Sequence, residues 1–153
     1  MMKTISKQVI GLTIISSSLF LPNIAQAITV EEVINPRENN SGWVTDWADI
    51  LSSQTELQLN QIINNLETTN GTEIAVVTVP DTNSYPTPKA FTTELFNYWR
   101  IGKADVDNGV LFLISLGDRR VEIETGYGIE PILPNTEVKE IIDTKITPEF
   151  KQG

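Results

Sequence analysis

The sequence predicts an α/β protein, a Rossmann-like three-layer α/β/α sandwich with a central mixed sheet. Two apolar runs, residues 74–79 and 110–116, have the β-branched composition of strands that are covered on both faces. Apolar residues at helical spacing precede each run, and a short turn after the second predicts an antiparallel neighbour. The predicted order is helix, strand, helix, strand, strand, helix, which gives a mixed sheet with helices on both faces.

The first 27 residues have the pattern of a secretory signal peptide. Lys3 and Lys7 are followed by an apolar stretch over 9–21, and Ala25 and Ala27 supply the small residues of a cleavage site. A membrane anchor is the alternative, but the apolar stretch is shorter than the roughly 20 residues that a spanning helix needs. The sequence thus predicts export. Residues 28–42 are mostly polar and predict a flexible linker, with the folded domain over 43–153.

Two helices are predicted by their caps and apolar spacing. The first has the Ser-x-x-Glu spacing of a capping box at Ser53 and Glu56, and Asn70-Gly71 supplies a left-handed stop. The second begins at Thr87-Pro88, a cap followed by proline in the first turn. Their apolar positions predict the faces that pack on the sheet: Leu59, Ile62, Ile63 and Leu66 in the first helix, and Phe91, Leu95, Phe96 and Trp99 in the second.

The C-terminal part predicts an antiparallel strand and a third helix. Gly117-Asp118 forms a short turn, so the strand 120–125 should lie beside the run 110–116. A helix is predicted from about Thr136, with Val138, Ile141 and Ile142 facing inward. The chain ends at Gly153, inside this helix, which predicts that the last helix is truncated.

Composition excludes several classes of function. The formal net charge is −9, with 20 acidic against 11 basic residues, so nucleic acid is an unfavourable partner and a cation or a basic protein surface is a favourable one. The chain has no cysteine and no histidine. Disulfides, thiol nucleophiles, imidazole zinc sites and the Ser-His-Asp triad are therefore excluded.

Acidic residues beside predicted turns are the strongest site candidates. Asp46, Asp107 and Glu124 are the principal ones, and Asp49 and Asp105 are weaker. Carboxylates in loops suit calcium, which takes six to eight oxygen ligands and tolerates irregular geometry. The alternative is structural, because Asp46 can cap a turn and Asp107-Asn108-Gly109 can form a tight turn into a strand. Glu124 can equally be a surface charge.

Three segments together resemble the TPM domain family. They are Val-x-Asp-x-Ala-x-Ile-Leu over 44–51, the strand with its proline over 73–80, and the block 107–134 with its Asp-Asn-Gly and Gly-Tyr-Gly motifs. Asp49 departs from the pattern, where a small residue is usual. The resemblance implies the three-layer fold, calcium as the cofactor, and Asp46 and Asp107 at the matching acidic positions. It also implies an exported auxiliary factor for maintenance or repair of membrane protein complexes, in the periplasm or, for a photosynthetic source, the thylakoid lumen with photosystem II.

Gly126-Tyr127-Gly128 has two interpretations. The first is a ligand loop, together with Asn108 and Gly109, in which the backbone closes over a ligand and Tyr127 contacts it. The second is a bend between strand and loop with a packed tyrosine. The motif lacks the third glycine of a dinucleotide fingerprint, and it does not lead from a parallel strand into a helix.

A weak metal-dependent acid phosphatase is the alternative function, because the resembling family has been associated with that activity. Carboxylates around a hard cation can orient phosphate and water without histidine. Arg119 and Arg120 are the residues that would offset phosphate charge, although neighbours on a strand point to opposite faces. Asp81 follows a buried strand, but the second aspartate of a phosphatase motif is replaced by Asn83.

Overall fold

The structure is a computed structural model, and it describes residues 28–39 and 42–151. One four-stranded sheet has the strand order β1-β2-β3-β4. The first three strands are parallel and the fourth is antiparallel to the third, which confirms the predicted mixed sheet. The strands are β1 Val44–Asp46, β2 Glu73–Val79, β3 Gly109–Ser115 and β4 Arg120–Thr125.

The helices begin and end at the signals that the sequence contains, with one shift. Helix α1 spans Ser53–Asn70, and its cap is Ser52, one residue before the predicted capping box. Helix α2 spans Pro88–Trp99, and Thr87 caps it by accepting the N–H of Ala90. The C-terminal part forms α3 Asn135–Ile141, a π-helical segment Ile142–Ile146 and α4 Thr147–Lys151.

Helices cover both faces of the sheet, as predicted. Successive strand residues point to opposite faces, and β4 shows which helices lie on each. Glu124 contacts Lys89 and Thr93 of α2. Ile114 and Val121 form a cross-strand pair on the opposite face and line a cavity together with Thr147 and Phe150 of α4, so α4 lies on that other face.

The core lies between the sheet and the helices α1 and α2. Its fully buried side chains include Leu111 and Leu113 of β3 and Phe91 and Leu95 of α2. The prediction for α1 was wrong at one position, because Ile62 is 65% exposed while Ile63 is buried. The two side chains are consecutive and therefore leave the helix about 100° apart.

The segment for which the sequence predicts a flexible linker packs on the domain over its described part, residues 28–39. Ile28, Val30 and Val33 are buried in the main core. Ser84 donates a hydrogen bond to the carbonyl of Ile28, and Thr45 donates one to the carbonyl of Ile34. The structure thus differs from the prediction because three apolar side chains anchor an otherwise polar segment. We call residues 28–39 the N-terminal segment.

The predicted signal peptide, residues 1–27, lies outside the described residues. Within the described part of the chain, no helix combines the length and the apolar character that crossing a membrane requires.

Candidate functional site

Asp46 lies at the carboxyl end of β1, where its carboxylate accepts hydrogen bonds from β2 and from the loop that leads to α1. One oxygen accepts hydrogen bonds from the Thr78 hydroxyl and from the N–H of Ile50, and the other accepts the N–H of Leu51 at 2.8 Å. Burial acts to raise the pKa of Asp46, but the hydrogen bonds from Thr78, Leu51 and Ile50 outweigh it and leave the pKa below its usual value. Through these contacts Asp46 stabilises the loop that connects β1 to α1.

Asp107 lies at the opposite end of the parallel strands. It precedes Gly109, which pairs with Glu73 at the start of β2, whereas Asp46 pairs with Thr78 near the end of β2. The stretch from Glu73 to Thr78 alone spans about 16 Å at the usual rise of an extended strand. The structure therefore does not bring Asp46 and Asp107 together, although the sequence prediction joined them in one site.

Glu124 lies on the face of β4 that meets α2. Its carboxylate forms an ion pair with Lys89 at 2.7 Å and accepts the hydroxyl of Thr93 at 2.6 Å. Asp49 and Asp105 are exposed, and both adopt left-handed backbone conformations with φ of 54° and 70°. Aspartate tolerates this conformation well, so these two residues fit turn positions.

The Asp-Asn-Gly and Gly-Tyr-Gly motifs lie against each other. Asn108 is buried, accepts the N–H of Lys103 and donates to the carbonyl of Gly71. A side chain at Gly126 would overlap the carbonyl oxygen of Asp107, and one at Gly128 would overlap that of Val106. The two glycines thus allow the loop after β4 to contact the loop before β3. This close contact favours the interpretation of Gly126-Tyr127-Gly128 as a bend between strand and loop. Only Tyr127 points away, with 80% of its surface exposed.

An open cleft lies between α2 and the loop that follows β4, and we call it the acidic cleft. Its volume is about 320 Å³, and the three charged side chains in its lining are all acidic: Asp107, Glu124 and Glu130. Phe96 and Ile101 supply apolar surface. The cleft thus joins two of the three principal acids of the sequence prediction with Tyr127. The other lining residues are Thr93, Asn97, Thr125, Gly126 and Asn135.

The predicted calcium ligands do not form a cluster of carboxylates among the described residues. Among residues 28–39 and 42–151, no three carboxylates are grouped closely enough to hold a metal. The oxygens of Asp46 accept backbone and hydroxyl hydrogen bonds, and Glu124 is paired with Lys89. Calcium takes six to eight oxygen ligands, backbone carbonyls among them, so calcium binding at these acids stays a prediction.

Sequence reasoning missed a second aspartate at the carboxyl end of the strands. Asp118 accepts hydrogen bonds from the Ser115 hydroxyl at 2.6 Å and from the hydroxyl and N–H of Thr82 at 2.7 and 3.0 Å. The bond from Ser115 is the main cause that lowers the pKa of Asp118; burial opposes it, and the bonds from Thr82 add to the lowering. The sequence showed Gly117-Asp118 only as a turn. It did not show the hydrogen bonds of Asp118, because the donor Thr82 is distant in sequence.

The groups proposed for phosphate chemistry have local partners. Arg120 pairs with Glu122 at 3.2 Å, and Asp81 accepts the N–H of Asn83. Arg119 and Arg120 follow β3, at the end opposite to Asp107. Asp81 follows β2 at that same end, where a side chain at Gly117 would lie 3.2 Å from the Cβ of Asp81. Among the described residues, Asp81 forms no ion pair with either arginine.

The fold and the cleft define a small α/β domain with a mixed four-stranded sheet and an acidic groove at the amino ends of its parallel strands. A family model described as the TPM domain matches residues 44–153, so the chain belongs to the TPM domain family. The resemblance that the three sequence segments indicated is confirmed. The comparison with curated proteins gave no match.

Solved structures agree with this assignment. The N-terminal domain of a protein from P. gingivalis has 34% sequence identity and a TM-score of 0.75, with 84% of this chain and 82% of that chain covered. The BA42 protein of the psychrophilic bacterium Bizionia argentinensis has 22% identity and a TM-score of 0.56, with coverage of 69% and 70%. The N-terminal domain of the cg2496 protein of Corynebacterium glutamicum has 15% identity and a TM-score of 0.52, with coverage of 71% and 72%; the last two show the fold alone.

Proposed function

We propose that this TPM domain is an exported auxiliary factor that binds a membrane protein complex through the acidic cleft. The observation that supports the proposal is the exposed apolar surface on the two loops at the cleft. Tyr127 and Ile132 follow β4 and are 80% and 78% exposed, and Val106 on the facing loop is half-exposed. Exposed aromatic and aliphatic side chains that cluster beside polar groups are typical of protein interaction sites.

The charge of the cleft indicates the chemistry of the partner. Asp107, Glu124 and Glu130 line the cleft together with Phe96 and Ile101. Glu124 is paired with Lys89, whereas Asp107 and Glu130 form no ion pair among the described residues, so these two acids carry the charge of the cleft. A lysine or arginine side chain fits such a groove, since its aliphatic stem packs on apolar surface while its charged end meets carboxylates or an aromatic face. We therefore expect a basic segment of the partner at this cleft, and an affinity that falls as salt increases.

The exported and membrane-associated part of the proposal depends on the sequence and the family resemblance. The signal pattern over residues 1–27 supports export. The resemblance to the TPM domain family supports an auxiliary role in the maintenance or repair of membrane protein complexes, in the thylakoid lumen with photosystem II if the source is photosynthetic and in the periplasm otherwise.

Site-specific photocrosslinking tests the proposal. A benzoylphenylalanine at position 127 is expected to crosslink a subunit of a membrane protein complex in cells of the source organism. The same probe at Tyr98, an exposed aromatic position outside the cleft lining, is the matched control. Crosslinks to the same subunit from both positions, or from neither, would contradict docking at the cleft.

Calcium binding and phosphatase activity stay predictions, and no contact in the described residues favours them over partner binding. A calcium titration by calorimetry with Asp107→Asn as control tests the first. Hydrolysis of p-nitrophenyl phosphate by the same two proteins tests the second. Saturable heat or turnover that Asp107→Asn abolishes would revive the metal-dependent alternative.

A further inference from the structure

Strand β4 forms one edge of the sheet. It is the last strand in the order β1-β2-β3-β4, so among the described residues only β3 pairs with it. An edge strand presents a row of N–H and C=O groups to which another extended chain can bind. Addition of a strand to such an edge is a recurring mode of peptide recognition.

Two contacts show which backbone groups of β4 point outward. Gly126, directly after the strand, donates its N–H to the carbonyl of Gly109 in β3. Antiparallel strands alternate between hydrogen-bonded and non-hydrogen-bonded pairs, so the N–H and C=O groups of Val121 and Ile123 point away from β3. The Lys89 side chain agrees with this direction, because its ammonium donates to the carbonyl of Ile123 at 3.3 Å.

A groove runs along this outer edge, and we call it the edge groove. The consecutive residues 119–124 all line it, although the side chains of a strand alternate between the two faces. Lys89 of α2 and Thr147 of α4, which lie on opposite faces of the sheet, line it as well. A recess that contacts both faces and every position in turn lies at the edge of the strand. Val138 and Ile142 add apolar surface to it.

The edge groove is continuous with the acidic cleft, because Glu124 and Asn135 line both recesses. The cleft adjoins the end of β4, and its acids Asp107 and Glu130 form no ion pair among the described residues. Within the edge groove, by contrast, the acids of β4 already have basic partners. The charge that attracts a basic residue therefore lies at one end of the groove.

The two faces of β4 determine the pattern of the segment that fits this groove. Residues directly opposite Val121 and Ile123 would point to the same face as these two side chains, beside the apolar surface of the groove. Antiparallel pairing is slightly more stable per residue than parallel pairing. An antiparallel segment has its amino end at the cleft, where the unpaired acids lie.

We propose that the partner's basic segment binds along β4 as an added antiparallel strand, with basic residues at its amino end in the acidic cleft and apolar residues opposite Val121 and Ile123. This inference rests on the proposed function and adds the mode of binding. Lys89 covers the carbonyl of Ile123 in the free protein, but its side chain is half-exposed. An N–H group of the incoming strand can therefore replace the lysine at this carbonyl.

Hydrogen exchange, followed by NMR of the ¹⁵N-labelled full chain, locates the added strand on the protein. The probe is the acetylated peptide Lys-Lys-Val-Thr-Val-Thr-Val, which has a basic amino end and alternating apolar residues. The outward amides of Val121 and Ile123 should gain protection when the peptide is added. The amides of Glu122 and Glu124 face β3, are already protected and should change little. Protection gained equally by all four amides, or by none, would contradict strand addition at β4.

Two methylated forms of this peptide test the backbone pairing by calorimetric titration of the full chain. In an antiparallel pair the amides of the valines face β4, whereas those of the threonines face away. N-methylation of the middle valine should weaken binding at least about tenfold, since a backbone hydrogen bond is lost. N-methylation of the threonine that follows is the matched control and should leave the affinity unchanged. Equal affinities of the two methylated peptides, a larger loss for threonine, or no binding of the unmodified peptide would overturn strand addition.

The charge of the peptide separates strand addition from docking at the acidic cleft. Replacement of both lysines by glutamate should weaken binding, and more so at low salt, because the cleft is acidic. If this replacement has no effect while valine methylation abolishes binding, strand addition holds and docking at the acidic cleft is wrong. If the replacement weakens binding while the two methylated peptides bind equally, docking at the cleft holds and strand addition is overturned.

Discussion

The carboxylate of Asp46 stabilises the connection between β1 and α1, and this role is testable by removing its charge. Asp46→Asn keeps the shape but loses the charge and one acceptor for the Thr78, Ile50 and Leu51 donors. We expect the free energy of unfolding to fall by about 1–3 kcal/mol in urea titrations at pH 7. Asp49→Asn is the control, since Asp49 is exposed and asparagine accepts its left-handed backbone, and it should change stability by less than about 0.5 kcal/mol. Equal stability of the two variants would refute the structural role.

Asp118 should make stability depend on pH in the acidic range. Its pKa in the folded protein lies below the ordinary value of 3.8, chiefly because the Ser115 hydroxyl donates to the carboxylate. A lowered folded pKa means that the stabilisation is complete above the unfolded pKa and is lost as the pH falls through the folded pKa. The difference in unfolding free energy between the natural protein and Asp118→Asn should therefore be largest at pH values above the ordinary pKa of 3.8 and shrink as the pH falls through the lowered folded pKa.

Chemical denaturation of both proteins at several pH values measures this difference. The comparison cancels the titration of the other carboxylates that the two proteins share. A difference that is constant with pH, or that grows as the pH falls, would show that the contacts of Asp118 do not favour its charged form.

The candidate residues illustrate what a single sequence reveals about a site. Asp107, Glu124 and Tyr127 were found because acids and aromatics beside turns stand out, and the structure brings them to one cleft. The prediction that Asp46 and Asp107 belong to one site was not met. Strand β1 was not predicted, so the sequence did not show at which end of the sheet Asp46 lies. Trp99 was predicted to pack in the core with the other apolar residues of α2, and its partly buried side chain lies against the core cluster.

At the scale of elements, the contact between the loops before β3 and after β4 requires glycine. Gly128→Ala would place a methyl group against the carbonyl of Val106. We expect a loss of about 1–3 kcal/mol in thermal or chemical unfolding, since the backbone must shift to relieve the overlap. Tyr127→Ala at the neighbouring, exposed position should leave stability nearly unchanged. Similar effects of the two substitutions would contradict the close approach of these loops.

Elements with strong local signals were predicted well, and weak ones were not. Helix α2 has both its cap and its apolar stripe where the sequence places them, and β4 has the predicted bounds. Strand β1 escaped prediction because it has three residues, two of them polar, and forms by pairing with β2. The π-helical segment Ile142–Ile146 interrupts a run that reads as one helix, and its cause is not visible in the apolar spacing.

For the whole molecule, the candidate acids divide between the two ends of the parallel strands. Asp46 and Asp118 lie at the carboxyl ends, where they accept hydrogen bonds from Thr78 and from Ser115. Asp107 and the acidic cleft lie at the amino ends.

The N-terminal segment should contribute to the stability of the fold, and truncation of its buried side chains tests this. Val30 and Val33 are 1% and 2% exposed, so Val30→Ala/Val33→Ala leaves space in the core. We expect the free energy of unfolding to fall by about 2–5 kcal/mol, as is usual when buried aliphatic groups are deleted. Ile34→Ala is the control, because Ile34 is 65% exposed and should change stability little. If the double variant unfolds at the same urea concentration as the control, the segment behaves as the linker that its polar composition predicts.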